Sequence, residues 1–123
     1  MESTSETELQ IVKNYIAQAK FSAALLCLEV LIRKNELSPY LLILKSRLIL
    51  LQNEDSLYSL TDAENCLLQA LSINPSDLEA NEDLMYLYDA IIPNEKKLMA
   101  IATEILATTK TIQEKIHLVI ANI

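Results

Sequence analysis

Apolar positions along this chain recur three and four residues apart, the spacing of amphipathic helices. Between 23 and 34, Ala24, Leu28, Leu31 and Ile32 line one face, and Glu29 and Arg33 share the opposite one. Between 62 and 73, Ala63, Leu67 and Ala70 face inward, while Asp62, Asn65, Gln69 and Ser72 face outward. From Tyr40 to Leu51 the chain is apolar nearly all round, interrupted only by Lys45, Ser46 and Arg47. Such a helix is covered on several sides, so it is expected at the centre. No segment shows the alternation of a half-buried strand.

Helix-start signals agree with this spacing. A capping box, Ser or Thr with Glu three residues on, satisfies two free backbone donors. It occurs as Ser5–Glu8, Thr61–Glu64, Ser76–Glu79 and Thr111–Glu114. Ser22 is placed to cap another helix, and Asn94 after Pro93 a further one. Ser38 followed by Pro39 puts a cap before a proline at the first helical position. Seven helices are predicted, near 6–19, 23–34, 39–53, 62–73, 77–91, 95–109 and 112–122. The links are short except at 52–60, and short links favour antiparallel neighbours.

Composition narrows the function classes. The 123 residues suffice for one domain with a sizeable core, and half of them are apolar. The chain has no glycine. Phosphate-cradling loops, dinucleotide fingerprints and nucleophile elbows need glycine where backbone meets ligand, so those enzyme classes are not expected. Net charge is −7 and the ten basic residues form no patch, which disfavours nucleic acid and anionic membranes. The acidic start MESTSETE lacks the basic and apolar regions of a signal peptide. The two cysteines make no disulfide framework. These features predict a cytoplasmic protein that is not an enzyme and carries no cofactor or metal. His117, the single histidine, has no ligand-spaced neighbour and is read as a packing or surface residue.

The helices also repeat. Ala24, Cys27 and Leu28 stand 39 residues before Ala63, Cys66 and Leu67. Tyr15, Ile49 and Tyr88 stand 34 and then 39 apart. A 34-residue unit, lengthened once by five in the loop at 52–60, explains both offsets. Ala63, Leu67, Ala70 and Pro75 fill the second half of the tetratricopeptide pattern, and the chain resembles that family over about residues 5–109. Leu42, Ser46 and Ile49 fit the first half of the same unit, with Lys45 in an apolar slot. In the flanking units Val12 takes a small-residue slot, Glu36 a proline slot and Lys97 an alanine slot.

The resemblance implies an all-α fold in which about three antiparallel helix pairs form a right-handed superhelix. The pairs are 6–34, 39–73 and 77–109, with a C-terminal capping helix at 112–122, all in a single domain. It further implies a protein-interaction module, with the first helix of each pair lining a concave groove. The matching slots are Leu9, Lys13 and Ile16, then Ile43, Arg47 and Leu50, then Glu79, Glu82, Tyr86 and Asp89. Lys13, Arg47, Glu79, Glu82, Tyr86 and Asp89 are the candidate partner-binding residues. The carboxylate clamp of some relatives is not expected, because Leu9, Leu44 and Asp83 stand where further polar or basic groups are needed. The groove grades from apolar with two cations to acidic and suits a protein or peptide with a basic, amphipathic segment. A dedicated chaperone, adaptor or immunity-type protein fits that description. The alternative is a self-associating assembly protein, such as a homodimer, joined through its apolar helices.

Overall fold

Six α-helices and one π-helical turn follow one another along the chain in the computed structural model, which describes residues 3–34, 38–52 and 57–122. No strand occurs among the described residues, and no helix is long and apolar enough to cross a membrane. The chain divides into two compact units, Met1–Pro75 and Ser76–Ile123.

The first unit holds α1 (Ser3–Ala17), α2 (Phe21–Lys34), α3 (Pro39–Leu50) and α4 (Leu60–Ile73). α1 packs on α2, α2 on α3 and α3 on α4. As its apolar circumference predicts, α3 is covered on more than one side and buries Leu41, Leu42, Ile43, Ser46, Leu48 and Ile49. Val12, Ala24, Leu28, Leu48 and Ala63 form the centre of the core. The chain reverses after α1 through a Schellman turn. There the Lys20 N–H donates to the Tyr15 carbonyl (2.8 Å) and the Ala19 N–H to the Ile16 carbonyl (2.9 Å). Ala19 holds φ at 58°, where glycine is the usual occupant.

The second unit holds α5 (Leu78–Tyr86), the π-helical turn Leu87–Ile91 and α6 (Glu95–Ala121). Ala80, Leu84, Leu87 and Tyr88 are buried. Pro93 has no N–H to donate to the turn before it. The chain leaves through wider bonds, with the Ile92 N–H on the Leu87 carbonyl (2.7 Å) and the Asn94 N–H on the Tyr88 carbonyl (2.9 Å).

Several predicted starts move. Ser38 stands at the N-cap position of α3 ahead of Pro39 but makes no side-chain capping bond, and the Asn94 side chain accepts from the Lys97 N–H at the start of α6. The box expected at Thr61–Glu64 forms two residues earlier. Ser59 Oγ accepts from the Asp62 N–H and the Asp62 carboxylate accepts from the Ser59 N–H. At α5 the cap is Asp77 rather than Ser76. Its carboxylate takes the Ala80 N–H at 3.0 Å, where an anion also meets the positive end of the helix dipole. Ser5 and Ser22 lie inside α1 and α2.

The separate capping helix 112–122 is not observed, because α6 runs unbroken from Glu95 to Ala121. Thr111 does not cap a new helix; its hydroxyl donates to the Ala107 carbonyl, four residues back. Thr103 and Thr108 bond back in the same way. This habit suits threonine inside a helix, and no proline or glycine interrupts 95–121.

Candidate functional site

Tyr86 closes α5 and is 61% exposed, while Leu84, Leu87 and Tyr88 around it are buried. The reason is rotation about the helix axis. Glu79, Glu82 and Tyr86 are spaced three and four apart and share one side, opposite the apolar stripe. Both glutamates are exposed, as is Asp89 in the π-helical turn that follows. The second unit therefore presents an exposed aromatic ring beside exposed carboxylates. Its wall is firm, since the Asn81 side-chain amide donates to the Asp77 carbonyl (2.9 Å) and Asp77 caps the helix. Lys97, which occupies an alanine slot, instead lays its ammonium 5.4 Å from the centre of the Tyr88 ring.

The two candidate cations belong to the first unit. Lys13 is exposed on α1 and Arg47 is exposed on α3. Of their apolar companions, Leu9, Ile16 and Leu50 are half-buried. Ile43 is 2% exposed, so it serves packing and is not available to a ligand.

A polar cluster that sequence reasoning left undrawn joins α2, α3 and the start of α4. Lys45, the cation in an apolar slot, places Nζ 2.5 Å from Glu29 Oε1 on α2. The same ammonium sits 5.4 Å from the centre of the Tyr58 ring. Arg33 approaches the other Glu29 oxygen at 3.8 Å. Burial alone would lower the Lys45 pKa, but the hydrogen bond to Glu29 and the charges around it carry it upward. Burial pushes the Cys66 thiol up, with Lys45 opposing and Glu29 and Asp62 adding to the rise. Burial and Glu29 likewise raise Tyr58. At neutral pH this cluster is a charged lysine, a protonated phenol and a protonated thiol. Such a thiol is a poor nucleophile, and the cluster acts as a tie between helices. The one sequence signal was Lys45 itself, a charge where the repeat wants an apolar side chain.

Both cysteines are free thiols; Cys66 is buried and Cys27 half-buried. Cys27 lines a shallow hollow of about 210 Å³ with Glu8, Ile11 and Val30, between α1 and α2. His117 is exposed on α6. Among the described residues no three His, Cys, Asp or Glu side chains are grouped to hold a metal ion.

Comparison of the chain with protein-family models, with curated proteins and with solved structures finds no match. The chain's own pattern thus supplies the functional reading.

Proposed function

We propose that this chain is a tetratricopeptide-like protein-interaction module whose helix pairs build a right-handed superhelix with a partly acidic concave face. The burial pattern supports the repeat. Ala24, Leu28 and Leu31 on α2 are buried, and so are Ala63, Leu67 and Ala70, each 39 residues later on α4. Leu41, Leu48 and Ile49 on α3 are matched at the same offset by buried Ala80, Leu87 and Tyr88. α6 departs from the unit, since Lys97 and Glu104 are exposed in its two alanine slots.

The observation that carries the binding reading is Tyr86, more than half exposed on the side of α5 that bears Glu79 and Glu82. Aromatic rings supply much of the energy at interfaces, and the carboxylates select a partner with Lys or Arg beside its apolar anchor. On the first unit, Lys13 and Arg47 would contact an acidic or carbonyl-rich segment. A dedicated chaperone, adaptor or immunity-type protein of the cytoplasm fits this surface.

The test is a partner captured from the source cell, followed by binding kinetics. Tyr86→Ala is expected to weaken affinity by about 2 kcal/mol, roughly thirtyfold. Glu82→Lys combined with Asp89→Lys is expected to slow association and flatten its salt dependence. Unchanged affinity and kinetics in both variants would place the interface on another face.

A further inference from the structure

The C-terminal end of α6 is apolar and uncovered. Ile116, Val119 and Ile120 are 52%, 63% and 61% exposed, and Lys115 borders them. On the first unit, Ile11 and Val30 are also exposed around the hollow between α1 and α2, and Glu8 borders that hollow. Glu8 Oε1 accepts from Lys34 at 2.8 Å, but Oε2 is shielded from water and has no hydrogen-bond partner. A shielded carboxylate oxygen without a donor is costly, and an arriving ammonium relieves it.

We infer that the α6 end of one copy of this chain docks into the α1–α2 hollow of a second copy, with Lys115 meeting Glu8. Charge complementarity selects this occupant. Each surface is an apolar patch with charge at its edge, Lys115 on α6 and the unpartnered oxygen of Glu8 at the hollow, and every molecule carries both. Pairing α6 with α6 leaves Lys115 without a carboxylate, because Glu114 lies about 200° around the helix from Ile116. Pairing hollow with hollow offers Glu8 only a Lys34 that is already paired within its own copy. Ile116, Val119 and Ile120 have the spacing with which a helix fills a groove.

The contact is heterologous, so it closes into rings, the smallest a reciprocal dimer, or builds open chains. A few helical turns in a groove make a small interface, and the association is weak and concentration-dependent.

Sedimentation of the full chain from low micromolar to near-millimolar concentration tests this. The mean mass is expected to climb with concentration. Lys115→Glu and Glu8→Lys are each expected to weaken association about tenfold, because like charges then meet. An equimolar mixture of the two variants is expected to associate again, since every contact in alternating copies then joins opposite charges. Glu8→Lys also loses the Lys34 pair, so Ile11→Asp provides a second variant of the hollow that keeps it. Circular dichroism confirms that each variant is folded. A chain that stays monomeric at every concentration overturns the proposal. Association lost in Lys115→Glu but unaffected by both Glu8→Lys and Ile11→Asp overturns it in favour of α6 pairing with α6. Failure of the mixture to associate overturns the head-to-tail geometry.

Discussion

Ala19 occupies the left-handed position that ends α1, at φ 58°. A β-carbon there costs about 1–2 kcal/mol, and glycine is free of that cost but has a more flexible unfolded chain. Ala19→Gly is therefore expected to stabilise the protein by about 0.5–1 kcal/mol, read as a higher urea midpoint. Ser46 is a second site of local cost. It is 1% exposed, and its hydroxyl has no hydrogen-bond partner. Ser46→Ala removes an orphaned polar atom with little change of volume and is expected to raise stability by about 1 kcal/mol. Leu67 behaves in the opposite way. It is fully buried, and Leu67→Ala is expected to cost roughly 2–5 kcal/mol through lost transfer energy and the cavity left behind. A Ser46→Ala variant that loses stability would mean that the hydroxyl has a donor or acceptor after all.

At the scale of elements, most helices were legible because their signals are local. Ser38 with Pro39, Asn94 and the apolar stripes of α2 and α4 act through neighbours within four residues. The misplaced starts have a local cause too. Ser59–Asp62 and Asp77 compete with Thr61–Glu64 and Ser76–Glu79, and the earlier box or the stronger anion prevails. α6 is the informative error. Thr111–Glu114 carries the letters of a start, but a helix already under way absorbs them, since extending it is easier than nucleating anew. Ile112→Pro separates the alternatives. Proline is tolerated at the first position of a new helix but breaks a continuous one. The expected result is loss of helical circular dichroism corresponding to the residues beyond 112. An unchanged spectrum would restore the separate cap.

For the whole molecule, stability should depend on pH through the tie between α2, α3 and α4. Cys66, Tyr58 and Lys45 all titrate above their ordinary values of 9.0, 10.0 and 10.5. The folded state thus holds these protons longer than the unfolded one. Their contribution is complete below pH 9.0 and is lost as pH rises through the folded values. Urea midpoints are expected to stay level through the neutral range and to fall above pH 9.0. In Cys66→Ala the fall is expected to begin nearer pH 10.0, where Tyr58 starts to titrate in the unfolded chain. A midpoint that rises across this alkaline range would contradict the cluster as described.

The order of apolar and polar residues determined the all-helical class, the helix stripes and the recurrence at 34 and 39 residues. It also placed Glu79, Glu82 and Tyr86 on one side of a helix. Each of these depends on side chains within a turn or two of one another, and a helix converts such spacing directly into direction. Only the tertiary structure decided that Lys45 would find Glu29 and Tyr58, that Ile43 would be enclosed, and that the end of α6 would stay uncovered. Those outcomes depend on which helix packs against which, and contacts between residues distant in the chain are not carried by any local spacing.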